Sequence, residues 1–430
     1  MTHFGIICPA STGHLNPLTT LGYELQKRGH RVTVVGVLDA EKKAYSAGLE
    51  FKAIAESECP RGTTAQVFDK LGKLSGLAAL RYTVNRLKET TAILLQQAPK
   101  VIKDAGIDAL LVDQVSSAGG TVADYLDIPF VSVSAALMLN EDFSVPPFNT
   151  SWNYSHAWWA KIRNRIGYRL LRRIRKPIRE ITAQYRREWN LPPHHGQNDA
   201  YSALAQLCQQ PAKFEFPREN LPGCFHFTGA YHNLVSRASV DFPFEQLTGQ
   251  PLIYASMGTL QNRLMGVFQT IAEACVGLDA QLIISLGSGI SQESMPKLPG
   301  SPLVVGYAPQ LELLQKASLT ITHAGLNTAL ESLSHGVPMV AIPITNDQPG
   351  VAARIAWTGC GEMVKLLDLN VTKLRSKIER VLTQDAYRNH AIRLQQANQQ
   401  AGGVISAADI IEQVISTGKP VLASLNQSIN

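Results

Sequence analysis

Apolar runs and helical patterns alternate along the first half of the chain. The predicted strands are 3–10, 31–37, 108–113 and 129–135, and the predicted helices are 16–30, 66–104 and 121–128. Asn16 can cap the first of these helices, and Pro17 suits its first turn because the ring fixes a helical φ. Strands that alternate with helices indicate a parallel, doubly wound sheet, in which ligands bind beyond the carboxyl ends of the strands.

The second half of the chain shows the same alternation without repeating the sequence. Its predicted strands are 251–259, 281–289, 302–310, 319–322 and 338–343, and its predicted helices are 264–278, 346–358, 371–384, 386–401 and 403–416. Residues 211–250 are rich in Pro, Gly and Phe and lack periodicity. The length of the chain favours two α/β domains. The predicted boundaries are 1–235 for the first domain, 236–250 for a linker, 251–402 for the second domain and 403–430 for a C-terminal helix and tail.

Positive charge is concentrated in one segment. The 430 residues carry a formal net charge of +6, whereas residues 161–187 contain eleven lysines and arginines and one acid, Glu180, a local charge of +10. The rest of the chain is therefore slightly acidic, which argues against nucleic acid as a partner. Two interpretations of the segment stay open, a solvated helix face or a face that rests on an anionic membrane surface.

The cysteines indicate a reducing compartment. All six are scattered, at positions 8, 59, 208, 224, 275 and 360, without Cys-x-x-Cys or Cys/His ligand spacing, which is typical of reduced core thiols. The N-terminal apolar run FGIICP is too short for a signal peptide and lacks a basic lead. No run reaches the roughly 18 apolar residues of a membrane span. We expect a cytoplasmic protein whose membrane contact, if any, is peripheral and made by 161–187.

The stretch around His323 joins a buried strand to the start of a helix. The apolar run 319–322 stops at His323, and helical spacing begins after Gly325. His323, Asn327 and Glu331 are four residues apart and therefore share one face. Free N–H groups and the helix dipole make such an N-terminus a site for phosphate or diphosphate. A ligand with an anionic centre and hydroxyl groups, such as a nucleotide sugar, suits this pattern.

Polar and aromatic residues also follow the other strands of the second domain. They are Thr259, then Tyr307, Ala308 and Gln310, and then Asp347 and Gln348. Because the carboxyl ends of parallel strands share one edge of a sheet, these residues and His323 are predicted to converge on one crevice. In the first domain, His14 and Asp113 stand beyond two strand ends in the same way.

With these motifs the chain resembles the family 1 UDP-glycosyltransferases, which have the two-Rossmann GT-B fold. The order PQ…THAGLNTALESLSHGVPM…P…DQ over 309–348 resembles the nucleotide-sugar signature of that family, and GHLNP (13–17) resembles its N-terminal catalytic loop. Further segments are similar to zeaxanthin glucosyltransferases, namely 127–140, 216–226, 255–261, 347–355 and 401–422. The resemblance implies an acceptor-binding first domain that faces a nucleotide-sugar-binding second domain across a cleft. It also implies that 403–430 packs back on the first domain.

The resemblance further implies a role for each donor-site residue. His323 would contact the diphosphate, Asn327, Thr328 and Thr259 the β-phosphate side, Glu331 the ribose, Asp347 and Gln348 the sugar hydroxyls, and Tyr307 the uracil, with Ala308, Gln310 and Gly325 beside the nucleotide. Tyr307 stands where many members have Trp, and its ring offers a smaller stacking face. The expected donor is UDP-glucose, a co-substrate, and no cofactor is expected.

His14 is the expected catalytic base, and Asp113 its partner, as the resemblance implies for the Gly-His-x-Asn-Pro loop. An alcohol is a weak nucleophile at neutral pH, so a base must accept its proton, and a carboxylate can orient the imidazole and stabilise the imidazolium. Attack on the anomeric carbon opposite the nucleotide would invert its configuration. His323, backbone N–H groups and the helix dipole would stabilise the departing diphosphate. Since the sequence contains no Asp-x-Asp motif, we expect no metal.

An aromatic segment before the basic stretch is the predicted acceptor entrance. Its candidate residues are Phe143, Phe148, Trp152 and Trp158. The resemblance implies glucosylation of a lipophilic hydroxyl compound, with a carotenoid such as zeaxanthin as first candidate. Two alternatives stay open. One is a TDP-deoxysugar or UDP-sugar transferase acting on a macrolide, sterol or phenolic acceptor. The other is a non-catalytic auxiliary that binds another transferase.

Overall fold

Two parallel β-sheets, each with helices packed against it, form the two domains. The computed structural model describes residues 1–72, 74, 76–232, 240–258, 265–287 and 295–423. In both sheets the first strand in sequence lies between the second and the fourth, which is the doubly wound order. The predicted α/β fold with two Rossmann-like domains is confirmed.

The first sheet has the strand order β3-β2-β1-β4-β5-β6-β7, with parallel pairing throughout. Its strands are β1 (His3–Ile7), β2 (Arg31–Gly36), β3 (Glu50–Ala53), β4 (Ala109–Asp113), β5 (Phe130–Ser134), β6 (Gln206–Cys208) and β7 (Phe225–Phe227). Every residue of β1 and β4 is buried. Apart from His3 and Asp113 their residues are apolar, since hydrophobic clusters cover both faces of the sheet.

Long helices flank the first sheet. They are α1 (Thr12–Lys27), α2 (Glu41–Ser46), α3 (Thr63–Gly72), α4 (Gly76–Ala105), α5 (Ala118–Leu126) and α6 (Trp158–Glu188). In α1, Leu18, Leu21 and Leu25 recur at three- and four-residue spacing and are fully buried, so they hold the helix on the sheet. Because α1 starts soon after β1, its first turn lies at the carboxyl end of that strand.

The second sheet has the order β10-β9-β8-β11-β12-β13 and is parallel as well. Its strands are β8 (Leu252–Ser256), β9 (Gln281–Ser285), β10 (Leu303–Val305), β11 (Ala317–Thr322), β12 (Met339–Ala341) and β13 (Gly361–Met363). The helices that follow are α7 (Met265–Cys275), α8 (Gln310–Leu314), α9 (Leu326–Ser334), α10 (Gln348–Trp357), α11 (Val371–Thr383), α12 (Asp385–Gln400) and α13 (Gly403–Thr417). Gly336, with a φ of 66°, follows α9, a conformation that costs glycine little.

The last helix, α13, packs on the first domain and not on the second. Ile411 is fully buried in the hydrophobic cluster of the first sheet. Arg28, just after α1, donates to Asp409 at 2.6 Å and to Glu412 at 2.7 Å. His30 lies 2.9 Å from the same glutamate. The first domain is therefore built from two separate pieces of the chain.

A buried ion pair joins the two domains. Arg354 of α10 donates through Nε to Glu215 at 2.9 Å and through a second nitrogen to the other carboxylate oxygen. Arg218 lies 3.2 Å from the same carboxylate, and Phe216 covers the Arg354 guanidinium at 4.3 Å from the ring centroid. Burial would raise the pKa of Glu215, but the two arginines hold it below its usual value. Pulling the domains apart here would break a desolvated pair, which is costly.

Several short elements differ from the sequence-based expectation. The strands β3, β6, β7 and β13 were not predicted, because three or four residues show no periodicity. The predicted helix 66–104 consists of two helices, α3 and α4. The predicted linker 236–250 is described from residue 240 onward, and its earlier part lies outside the described residues, as does Thr259.

All six cysteines are buried with free thiols. Among the described residues, no helix is both long enough and apolar enough to cross a bilayer.

Candidate active site

The candidate site lies where the strand order reverses in each sheet. In the first sheet, β1 and β4 are neighbours, and the chain leaves them toward opposite faces of the sheet. Asp113 is the last residue of β4, and His14 stands in the first turn of α1 after β1. A crevice forms at such a switch point, so the order of the strands places the two side chains together.

His14 and Asp113 form a direct pair. His14 Nδ1 lies 2.8 Å from Asp113 Oδ2, and the other carboxylate oxygen accepts from the Val115 N–H at 2.8 Å. The Asp113 side chain is 1% exposed and that of His14 is 18% exposed. Burial lowers the pKa of His14, but the Asp113 charge, the hydrogen bond to it and the charge of Asp347 together raise it above its usual value. The imidazole is thus oriented with Nε2 available and its protonated form stabilised.

Asp347 of the second domain reaches the same space. Its carboxylate accepts from the Leu137 N–H of the first domain at 3.0 Å, and it acts electrostatically on His14. Burial raises the pKa of Asp347, against smaller opposite effects that include the Leu137 hydrogen bond and His14. The preceding residue, Asn346, has a φ of 57°, a conformation that stores some strain at a non-glycine residue.

His323 occupies the corresponding junction of the second sheet, between β11 and α9. A Cβ added to Gly258 would lie 2.6 Å from its ring, and one added to Gly325 would lie 2.5 Å from Nε2. The ring is therefore held between two glycines. The intervening Ala324 has a φ of 64°, a second strained position. Burial lowers the pKa of His323 to about 4, against a smaller opposite effect of the Ser256 backbone, so the ring is neutral at pH 7.

The start of α9 faces the loop of the first domain that carries His14. Asn327 donates to the Gly13 carbonyl at 2.7 Å and accepts from Gln209 at 2.7 Å. Thr328 is buried in the same turn, and Gly325 precedes the helix as its cap residue. The first N–H groups of any α-helix lack intrahelical acceptors, so this end of α9 offers donors to an anion at the domain boundary.

A hydrogen-bonded chain orients the carboxylate further along α9. The Tyr254 hydroxyl donates to Gln310 at 3.1 Å, and the Gln310 amide donates to Glu331 at 2.5 Å. Glu331 is 3% exposed. Gln310 thus lies against Glu331, and the two hydrogen bonds fix the orientation of the Glu331 carboxylate relative to β8.

The remaining donor-site candidates occupy different surroundings. Tyr307 is half exposed at the carboxyl end of β10, and Ala308 packs partly on the core beneath that strand. Gln348 is buried, and its side-chain oxygen accepts from the Ile344 and Thr345 N–H groups at 2.9 Å each. It therefore closes the loop that carries Asp347.

The four predicted acceptor residues are spread along the segment that leads to α6. Phe148 packs in the cluster that contains Leu137. Phe143 and Trp152 are covered by arginines of α6, at 5.1 Å for Arg165 over Phe143 and 4.9 Å for Arg163 over Trp152. Trp158, at the start of α6, is 75% exposed. Of the four, Phe148 is thus the one whose packing connects it to the Asp347 loop.

Gln209 is a candidate site residue that the sequence did not reveal. It is 2% exposed and donates both to the Ala135 carbonyl and to Asn327. Gln209 follows β6, a strand of three residues, which is too short to show the apolar run by which the other strand ends were predicted. Gly325 was predicted beside the nucleotide, but the sequence did not indicate that Gly258 and Gly325 hold the His323 ring between them.

The arrangement has two chemically different halves. On the first domain a buried carboxylate supports an imidazole that can take a proton. On the second domain a neutral imidazole and a helix N-terminus offer hydrogen-bond donors without full positive charge. Among the described residues, no group of three or more His, Cys, Asp or Glu side chains is arranged to hold a metal ion.

Known proteins are similar to this chain in sequence and in fold. Residues 7–401 match the family described as UDP-glucoronosyl and UDP-glucosyl transferase. The chain is 32% identical over 425 residues to the zeaxanthin glucosyltransferase of Pantoea ananas, with 98% of each chain covered. It is 31% identical over 423 residues to that of Pseudescherichia vulneris, covering 98% of this chain and 100% of the relative. Among solved structures, the glycotransferase of kitacinnamycin is similar in fold, with a TM-score of 0.75, 20% identity and coverage of 96% of this chain and 98% of its own.

The family match extends over both sheets and includes every described residue of the candidate site. The solved neighbour carries the same two-domain GT-B fold. The chain therefore belongs to the UDP-glycosyltransferase family and is a glycosyltransferase.

Proposed function

We propose that the protein is an inverting, metal-independent O-glycosyltransferase that moves a hexose, glucose, from UDP-glucose to a hydroxyl group of a lipophilic acceptor. The observation that carries the proposal is the His14–Asp113 pair, 2.8 Å apart, facing Asp347 of the opposite domain. A base and a sugar-binding carboxylate on the two sides of one crevice suit transfer between two bound substrates.

In the proposed reaction, His14 Nε2 accepts the proton of the acceptor hydroxyl. The acceptor oxygen forms a bond to the anomeric carbon while the bond from that carbon to the diphosphate oxygen breaks. Attack from the face opposite the nucleotide inverts the anomeric configuration. Asp113 stabilises the imidazolium that results, because a buried charge near the ring is most effective once the ring is positive.

In the proposed reaction, the leaving diphosphate binds at the start of α9. The N–H groups of the first turn and the neutral His323 would donate hydrogen bonds to the phosphate oxygens, and the helix dipole adds a partial positive charge. This stabilisation needs no metal in the proposal. Glu331, oriented by Gln310, would accept from the ribose hydroxyls, and Tyr307 would stack on the uracil.

The sugar lies between the domains in this proposal. Asp347 and Gln348 would bind its hydroxyl groups, which favours a hexose with free hydroxyls over a deoxysugar. The acceptor is assigned as a carotenoid diol such as zeaxanthin, supported by the two zeaxanthin glucosyltransferases at 32% and 31% identity. A cytoplasmic enzyme would meet such an acceptor at a membrane, so peripheral contact through the basic segment 161–187 is part of the proposal.

The test is the variant His14→Ala with UDP-glucose and detergent-solubilised zeaxanthin. We expect UDP affinity to stay within about twofold and transfer to fall by roughly 10²–10⁴, the usual contribution of a general base. Wild-type product should be the β-glucoside by NMR, formed at the same rate with a chelator present. Undiminished turnover in the variant would refute the role of His14, and an α-glucoside would refute inversion.

A further inference from the structure

Helix α6 presents an apolar stripe to solvent. Trp158, Ile162, Ile166 and Leu170 are four residues apart and are 75%, 49%, 60% and 58% exposed. The neighbouring Trp159 is 50% exposed. Residues at i, i+4 spacing line one face of a helix, so these side chains form a continuous surface that no described part of the protein covers.

The opposite face of α6 explains why the stripe points outward. Ala160, Asn164 and Tyr168 are buried against the first domain. The Asn164 amide donates to the Phe143 carbonyl at 3.1 Å, and a Cβ on Gly167 would lie 2.9 Å from Pro147. These contacts fix the rotation of the helix, so the stripe cannot turn inward to be buried.

Arginines are interleaved with the apolar stripe. Arg169 and Arg173 are exposed and, by their spacing, lie beside the stripe on the same side of the helix. Arg169 and Arg173 form no ion pair with any residue that the structure describes. They belong to the segment 161–187, whose local charge is +10. Exposed apolar side chains and unpaired positive charges therefore lie on the same surface.

We propose that this face of α6 docks on the surface of a bilayer that contains anionic phospholipid. An amphipathic helix with Trp and Ile on one side and arginines beside them is suited to the headgroup boundary, where rings enter the acyl region and guanidinium groups meet phosphate. Nucleic acid would use the charge but leave the stripe exposed. Association of two copies through the stripe would bring their arginines together, which is unfavourable.

The position of the helix links the docking face to the candidate site. Trp152 and Pro147, from the segment before α6, pack against Gly167. That same segment begins near Leu137, whose N–H binds Asp347. Resting on the proposed function, we infer that docking brings the acceptor side of the crevice close to a membrane that holds the lipophilic acceptor. The docking itself does not depend on the identity of the reaction.

The experiment is co-flotation of the full-length protein with vesicles, without any sugar donor. One vesicle type is phosphatidylcholine, and the other also contains phosphatidylglycerol. The variant R169Q/R173Q removes two charges and keeps the stripe. The variant I166Q/L170Q removes apolar area and keeps the charge. R388Q/R393Q is the matched control, because these two arginines are exposed on α12 of the second domain and make the same change of net charge.

We expect recovery with the anionic vesicles and little with phosphatidylcholine alone. R169Q/R173Q should weaken partition by about thirtyfold, since each basic residue near such a surface contributes about 1 kcal/mol. I166Q/L170Q should weaken it by roughly tenfold or more. The control should behave as wild type, and all variants should retain UDP-glucose turnover with a water-soluble phenolic acceptor.

Equal recovery with both vesicle types, or an equal loss in the control, would overturn the proposal. So would a dimer that I166Q/L170Q dissociates in sedimentation without vesicle binding, or binding of duplex nucleic acid in place of vesicles. If flotation succeeds but no variant or wild type transfers sugar, the docking stands and the proposed reaction fails.

Discussion

Replacing Asp113 with Asn perturbs the His14–Asp113 pair while keeping the shape of the side chain at position 113. Asp113 Oδ1 accepts from the Val115 N–H and Oδ2 faces His14 Nδ1, both at 2.8 Å. If the Asn carbonyl keeps the Val115 contact, its NH₂ group points at Nδ1. Two donors would then face each other unless the imidazole changes tautomer. The variant therefore removes a charge and also disturbs the orientation of the base.

The expected magnitude follows from the geometry. Charges about 4 Å apart at an effective dielectric constant of about 20 attract by about 4 kcal/mol, whereas hydrogen bonds to charged groups contribute about 1.5–3 kcal/mol. The side chains are 18% and 1% exposed, so solvent screens the pair weakly. We expect kcat/KM to fall by about 10²–10³, which corresponds to about 2.7–4.1 kcal/mol in the barrier.

The assay is the pH profile of kcat/KM for transfer from UDP-glucose. The base acts in its neutral form, so wild-type activity decreases as pH falls through the pKa of His14, which lies above its usual value. Without the Asp113 charge, burial dominates and lowers that pKa, so the acid limb moves to lower pH. Asp108→Asn is the control, because this carboxylate lies just before the other end of β4 and binds the His3 N–H. A rate within threefold of wild type, or an acid limb that does not move, would refute the assigned role.

Two further predictions concern the domain boundary and the donor site. Glu215→Gln leaves the Arg354 guanidinium buried without its charge partner and should reduce the free energy of unfolding by about 3–5 kcal/mol in urea titrations at pH 7. Because the pKa of Glu215 is lowered, the difference should shrink as acid protonates the wild-type carboxylate. Glu219→Gln, which removes an exposed ion pair with Lys161, should change the free energy of unfolding by less than about 1 kcal/mol. Equal losses of stability in the Glu215 and Glu219 variants would contradict the reasoning. Gly325→Ala places a Cβ 2.5 Å from His323 Nε2, so UDP affinity measured by calorimetry should fall by roughly tenfold or more. Gly266→Ala, where an added Cβ meets nothing within 4 Å, should leave affinity unchanged.

The long buried strands made the fold predictable from sequence. β1, β4 and β11 are almost entirely buried strands, helical periodicity follows each of them, and this alternation indicates doubly wound sheets. The strands β6 and β7 of the first sheet, by contrast, are three residues each. Such short strands are specified by their pairing with neighbours, and that information is spread over distant parts of the chain.

The proximity of the candidate site residues was predictable within each domain and unpredictable between the domains. His14 and Asp113 follow strand ends that the topology brings together, so their proximity is a property of one sheet. The contact of Asn327 with Gly13 and Gln209 depends on how the two sheets face each other. The buried pair Glu215–Arg354 also joins the two domains, and single-sequence patterns carry no signal for such contacts between distant residues.

The packing of α13 has a consequence for exchanging domains between relatives. In space, the second domain is an insertion within the first domain, because the chain returns to the first domain after α12. The Gly403 N–H donates to the Thr228 carbonyl at 2.6 Å at the point of return. A chimera that exchanges the second domain therefore needs two junctions, one before β8 and one between α12 and α13. With a single junction, α13 would come from the other protein, and Arg28 would lose Asp409 and Glu412 as its own partners. The hybrid would also lose the part of the first domain's core that α13 supplies.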